Sequence, residues 1–245
     1  MRATSAARQR RPDARPPAPA RVRRRTVSEL PPLPDVALDR WRFTARERTT
    51  VQVAPDGCRD LIVVAPRVGA PACFVSALMD TTEAPAFAAG DRAVGVRLRP
   101  GVSIDEAALV ALLRGGERAD DSDVAAAIGA AVRLDARVRD ALDCLEEAPP
   151  LQVAHARLGV SPRSLERLLS QRTQRGPLYW RNLARARHCA RALAGADPLA
   201  HVAAAHGYAD QAHMTRDLQR WFGATPARLR ATPAFLATLA APAYA

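Results

Sequence analysis

Between residues 36 and 100 the apolar positions come in short runs broken by turn residues: 49–53, 58–65, 73–79 and 93–98. Pro55-Asp56-Gly57 and residues 66–69 have the chemistry of hairpin connections, and Arg99-Pro100-Gly101 closes the last run. This pattern predicts a small, mainly antiparallel sheet or partial barrel. Beyond Gly101 the spacing changes to three and four residues, which predicts helices over 105–113, 122–132 and 135–146. The third carries an apolar stripe of Val138, Ala141, Leu142 and Leu145. Ser122 and Asp135 are the expected N-caps, and Pro149-Pro150 ends the third helix. From there to about residue 232 the chain reads as helical with short connections. The expected class is α+β: a sheet region with helices, then an all-α region. The predicted organisation is a tail over 1–35, an N-terminal domain over 36–130, a helical domain over 134–232 and a peripheral Ala- and Pro-rich tail over 233–245. The first 35 residues hold many Pro and Arg and almost no large apolar side chains, so burial cannot offset their ordering entropy and disorder is expected.

Within the helical region a single arrangement occurs twice. A short helix over 151–158 runs into Gly159-Val160-Ser161-Pro162 and a second helix, giving a unit over 151–173. Gly159 suits the left-handed backbone of a tight turn, and Val160 is expected to plug the angle between the helices. Ser161 is the expected N-cap, with Pro162 at the first helical position. Leu165, Leu168 and Leu169 share one face, leaving Arg163, Ser164, Glu166 and Arg167 elsewhere near the N-terminal end. These are the base-reaching positions of a recognition helix: Arg can grip guanine in bidentate fashion and Glu can accept from cytosine. A solvated helix face is the alternative for each of them.

About fifty residues later a helix over 199–206, the turn Gly207-Tyr208-Ala209 and a helix capped by Asp210 and running to Phe222 repeat the plan, as a unit over 199–222. Here Met214, Leu218, Trp221 and Phe222 form the inner stripe, while Gln211, Ala212, Thr215, Arg216 and Gln219 face outward. Between the units Gly176-Pro177 opens a long helix. Its predicted inner stripe is Tyr179, Leu183, Ala186, Ala190 and Leu193, and its predicted outer side carries Arg181, Arg185, Arg187 and Arg191. A rigid helix of this kind would set the spacing of two recognition helices for successive major grooves, roughly 34 Å apart.

Charge sharpens this picture. All 36 basic residues are Arg, a bias that fits a GC-rich genome as well as any function. Residues 1–30 hold 9 Arg and 2 acids, residues 31–149 hold 14 and 19, and residues 150–245 hold 13 and 4, for net charges of +7, −5 and +9. Basic ends around an acidic middle suit a polyanion at the ends and a different partner for the middle. No apolar run approaches the roughly 20 residues a membrane helix needs, and no apolar stretch of signal-peptide length follows the arginine-rich start, so a cytoplasmic, nucleoid-associated protein is expected. Cys58, Cys73, Cys144 and Cys189 show no paired spacing and read as reduced thiols.

Residues 202–218, Val-Ala-Ala-Ala-His-Gly-Tyr-Ala-Asp-Gln-Ala-His-Met-Thr-Arg-Asp-Leu, followed by Arg220-Trp221-Phe222-Gly223-Ala224-Thr225-Pro226, closely resemble the signature of the AraC/XylS family of transcription regulators. The resemblance covers roughly 134–232 and includes Gly176-Pro177-Leu178-Tyr179. It departs at Tyr208, Met214, Leu218 and Leu229, where other apolar or aromatic residues are common in the family. It implies two helix-turn-helix units that bind double-stranded DNA, with Arg163, Ser164, Glu166 and Arg167 in the first and Gln211, Ala212, Thr215 and Arg216 in the second at DNA-facing positions. RNA polymerase would be a further partner, and the chain would act as a monomer or homodimer. The Pro55-to-Leu61 turn and the Gly95-to-Gly101 segment look like the small N-terminal domain of one AraC-like branch. That domain is expected to sense a small-molecule effector or to mediate pairing, with Asp56, Asp60, Arg97 and Arg99 either in a pocket or at turns and strand ends.

No cofactor or metal is implied. His188, Cys189, His201, His206 and His213 lack zinc-like spacing. Cys58, beside Arg59, reads either as a small buried hydrophobe or as a reactive thiol. An enzymatic N-terminal domain would rest on Asp56 and Asp60 alone, since no histidine precedes His155 and no nucleophile, phosphate-loop or H-E-x-x-H motif is present. An architectural DNA binder without an effector is the other alternative.

Overall fold

The computed structural model describes residues 32–114 and 121–240; the expected N-terminal tail falls almost wholly outside them. Strands β1 (Ala37–Thr44), β2 (Thr49–Thr50), β3 (Arg59–Ala65), β4 (Ala72–Val75), β5 (Ala86–Phe87), β6 (Arg92–Leu98) and β7 (Ser103–Ile104) come first. Helices α1 (Glu106–Arg114) and α2 (Asp121–Ala131) and strand β8 (Val132–Arg133) follow. The rest is helical: α3 (Ala136–Glu146), α4 (Leu151–Leu158), α5 (Pro162–Thr173), α6 (Pro177–Ala192), α7 (Leu199–Ala205), α8 (Gln211–Phe222), α9 (Pro226–Arg230) and α10 (Pro233–Ala240).

The α+β reading holds, with an antiparallel sheet region preceding a mostly helical one. The main sheet has the order β1-β6-β3-β4, all pairs antiparallel. Leu61 stands opposite both Val96 and Val75, so these side chains share a face. That face joins Ala37 and Leu98 in a core closed by Leu109 and Leu113 of α1 and Ala127, Ile128 and Ala131 of α2. The opposite face carries Trp41, Phe43, Val64 and Ala93, packed with Val51 and with Phe87 of the small two-stranded β2–β5 sheet. Strand β1 was not expected: Asp39, Arg40 and Arg42 interrupt its apolar alternation. The expected strand over 49–53 shrinks to Thr49–Thr50 plus an isolated bridge from Val53 to Glu83. Asp135 caps α3 by accepting the N–H of Arg137, as expected, whereas Ser122 lies inside α2.

The large core belongs to the helices, with α6 at its centre in contact with α3, α4, α5, α7, α8 and α10. A helix surrounded in this way must be buried on several sides, so a one-sided stripe misreads it. Trp180, Leu183, Ala184, Ala186, Cys189 and Ala190 are all fully buried, and Arg187, expected on an outer side, is only 2% exposed. Helix α10 corrects the expectation of a peripheral tail, because Phe235, Leu236 and Leu239 pack into this core. Ala54 and Leu78 reach it from the sheet region.

Polar contacts dock the sheet region onto the helices. Arg187 donates to the Pro55 carbonyl (2.9 Å), and the Tyr179 hydroxyl to that of Met79 (2.7 Å). Arg175 pairs with Asp80 (2.7 Å), and the backbone N–H and hydroxyl of Thr82 both donate to the Trp221 carbonyl (2.9 and 3.2 Å) at the end of α8.

Candidate nucleic-acid interface

In the first unit α4 ends at Gly159, whose φ of 62° is the left-handed turn a side chain would disfavour. Ser161 then accepts the N–H of Ser164 and Pro162 occupies the first turn of α5, so the recognition helix starts at a fixed point. Leu165 and Leu169 are buried, and Arg163, Glu166 and Arg167 are exposed with Ser164 half-buried. Two details differ from expectation. Val160 is 37% exposed and does not plug the turn. The Glu166 carboxylate accepts from the Ser170 hydroxyl (2.8 Å) and sits so close to Gly176 that a Cβ there would meet Oε1 at 2.7 Å. Glu166 is thus turned along its own helix toward the start of α6.

The second unit repeats the construction. Asp210 accepts the N–H of His213 (2.6 Å) and caps α8. Met214, Leu218, Trp221 and Phe222 are buried, leaving Gln211, Ala212 and Arg216 exposed and Thr215 half-buried with its hydroxyl on the Gln211 carbonyl. All eight positions therefore lie on two capped helices, clustered near their N-terminal ends.

Sequence reasoning missed what positions the second helix. Arg185 of α6, expected on an outer side, is almost covered: it pairs with Asp217 (3.0 Å) and stacks on Tyr208, whose hydroxyl also donates to Asp217 (3.0 Å). Burial pushes the Tyr208 phenol well above its ordinary range, which keeps it a donor. The signal was available, since a carboxylate on the recognition helix of a strongly basic segment would repel a polyanion unless a cation held it. Arg181 likewise donates to the Pro149 carbonyl (2.7 Å).

The N-terminal candidates are each engaged within the fold. Asp60 and Arg97 stand opposite one another on β3 and β6, and Arg97 pairs with Asp56. Asp56 also accepts the N–H of Cys58 (2.8 Å), an Asx turn, and Asp60 accepts from the Trp41 indole (3.0 Å). Burial raises the Asp60 carboxyl above its ordinary value, while the Trp41 bond pulls the other way. Arg99 donates to the Asp35 carbonyl and, alone of the four, lines a cleft between the sheet region and the first unit. Burial also raises the Cys58 thiol far out of the reactive range despite Arg187 and Arg99, which favours the small-hydrophobe reading.

Residues 154–232 match the family model described as a helix-turn-helix domain, of the AraC type. This segment is a helix-turn-helix domain. Three solved structures illustrate what the chain is similar to. The C-terminal domain of AraT, a response regulator from Geobacillus stearothermophilus, is 24% identical over 41% of this chain and 88% of that one, with a TM-score of 0.37. The DNA-binding domain of AdpA, a global transcriptional factor in complex with a target DNA, is 28% identical over 42% and 92%, at 0.34. ToxT from Vibrio cholerae is 10% identical over 79% and 97%, at 0.41. No curated protein matches the chain. Helices α5 and α8 both lie inside the matched segment. Among the described residues no helix is long and apolar enough to cross a membrane.

Proposed function

We propose that the protein is a sequence-specific regulator of transcription that sets both recognition helices into successive major-groove segments of one duplex. The carrying observation is the repeated construction of α5 and α8. Each is fixed at its N-terminus by a side-chain cap, seated on α6 by buried apolar residues, and turns polar side chains outward near that end, where a recognition helix would meet base edges. In this reading Arg163 and Arg167 provide bidentate donors, and Ser164 contacts phosphate or a base. Gln211 and Arg216 read bases in the second groove, with Ala212 and Thr215 against a thymine methyl or the backbone. Glu166, held by Ser170, contributes shape and charge exclusion more than direct reading. The sheet region modulates the helical one through the contacts at Pro55, Met79, Asp80 and Thr82. The activity is binding, not catalysis.

Selection of bound sites from a random duplex library supplies the target, and affinity for it is then compared with scrambled DNA. Arg167→Ala and Arg216→Ala are each expected to weaken specific binding by about 1–3 kcal/mol and to relax preference at one base position, in different halves of the site. Equal affinity for selected and scrambled DNA would instead make the protein an architectural binder.

A further inference from the structure

The sheet region and the first helix-turn-helix unit enclose a cleft of about 380 Å³. Its charge is one-sided: Arg59 and Arg99 come from the sheet side, Arg172 and Arg175 from the end of α5 and the loop after it, and among the described residues Glu106 is the single carboxylate on the wall. Two of these cations are matched, Arg59 by Glu106 (2.6 Å) and Arg175 by Asp80 (2.7 Å). The other two are not matched in the same way. Arg99 spends its Nε on the neutral carbonyl of Asp35. Arg172 lies 3.9 Å from Asp135, a carboxylate that Arg137 holds at 2.9 Å. Guanidinium groups gathered in a concave, partly desolvated space repel one another and focus a positive field into it. The planar forks of Arg are matched to carboxylate and phosphate oxygens.

We infer that this cleft binds a small multivalent oxyanion, a di- or tricarboxylate or a phosphate ester, gripped between Arg99 on one wall and Arg172 on the other. The volume suits a compact metabolite, and the largely polar lining suits one without a long apolar body. Because the two grips belong to different regions of the chain, an occupant stabilises the docked arrangement of the sheet region on the first unit. That binding stands apart from the DNA-reading proposal, so its test uses no DNA.

Citrate and inorganic pyrophosphate serve as carboxylate and phosphate probes, titrated calorimetrically into the full chain at low ionic strength with melting temperature followed in parallel. Saturable binding of at least one probe is expected, with a melting temperature that climbs with its concentration. Arg99→Gln and Arg172→Gln should each weaken binding on the order of ten-fold, about 1.4 kcal/mol, and flatten the melting response. Arg163→Gln, outside the cleft, should leave the binding constant unchanged. The two cleft variants alter opposite walls, so misfolding of one leaves the other informative. Absence of saturable binding by both probes overturns the proposal. So does binding that survives both cleft variants and falls with Arg163→Gln, which would place the anion on the DNA-facing surface. Which probe binds more tightly separates a carboxylate from a phosphate occupant.

Discussion

The second helices of the two helix-turn-helix units, α5 and α8, are built to one plan and held by different means. Helix α5 seats only Leu165 and Leu169 fully, and its last turn is tied to α6 by the Trp180 indole, which donates to the Thr173 hydroxyl (3.1 Å). Helix α8 seats four large apolar side chains, is clamped to α6 by Arg185, Asp217 and Tyr208, and has its Trp221 carbonyl engaged by Thr82 of the sheet region. The outward faces reverse this order. Near its N-terminal end α5 exposes two guanidinium groups, Arg163 and Arg167, whereas the same part of α8 exposes one, Arg216, beside the uncharged Gln211 and Ala212. Firm seating and exposed cationic chemistry are thus divided between the units, and in the proposed DNA-binding role the second would be the anchored reference for the first.

The sharpest way to break that comparison is to empty each seat. Trp221→Ala should destabilise the chain by about 3–5 kcal/mol and Leu165→Ala by about 2–3 kcal/mol, read from denaturant midpoints. Trp221→Phe should cost far less than Trp221→Ala, because the buried indole N–H has no hydrogen-bond partner to lose. Equal losses for Trp221→Ala and Leu165→Ala would mean that the second unit is no better anchored than the first.

The polar clamp comes next. Asp217→Ala removes the partner of a nearly covered Arg185 and of the Tyr208 hydroxyl, and should cost about 2 kcal/mol. Glu166→Ala in the first unit removes an exposed carboxylate and should cost less than about 0.5 kcal/mol. A double-mutant cycle of Asp217 with Arg185 should show coupling, since both side chains serve one network. Additive losses would leave α8 held by its apolar stripe alone.

Much of this division was legible in the residues. The caps at Asp135, Ser161 and Asp210, the left-handed Gly159 and the buried stripe of α8 follow from short-range rules, because a cap acts within one turn and a stripe needs only helical spacing. Failures cluster where the surroundings decide. Arg185 and Arg187 read as solvent-facing because the eye expects one buried stripe, yet α6 is enclosed by six helices and both cations find partners outside their own helix. Val160 is expected to fill a turn that the chain leaves open, and Phe235, Leu236 and Leu239 escape notice because an Ala- and Pro-rich end resembles a tail. Strand β1 hides for a related reason: its charged residues sit beside the rest of the sheet, and pairing with β6 is a property of both strands. The eight candidate positions stand out because, once the stripe and cap are assigned, they are among the exposed or half-buried positions nearest each helix start.

The smallest expected effect separates the two helix starts. Ser161→Ala and Asp210→Ala each delete a side-chain acceptor from a backbone N–H, that of Ser164 in one case and His213 in the other. Loss of a cap costs about 1 kcal/mol on average, but the two sites have unequal support. Behind Ser161 stands Pro162, whose fixed φ prepares the first turn and removes one N–H that would otherwise need a partner. Asp210 is followed by Gln211, which supplies neither, and its side chain brings a negative charge to the positive end of the helix dipole. Asp210→Ala should therefore cost more than Ser161→Ala, by a few tenths of a kcal/mol, and Asp210→Ser should recover part of the difference by restoring an uncharged acceptor. Added salt should narrow the gap between Asp210→Ala and Asp210→Ser, since only the dipole contribution is screened. If Ser161→Ala is the costlier change, the start of α5 depends more on its cap than its proline allows, and the contrast between a lightly held first helix and a firmly held second one fails at its N-terminal end.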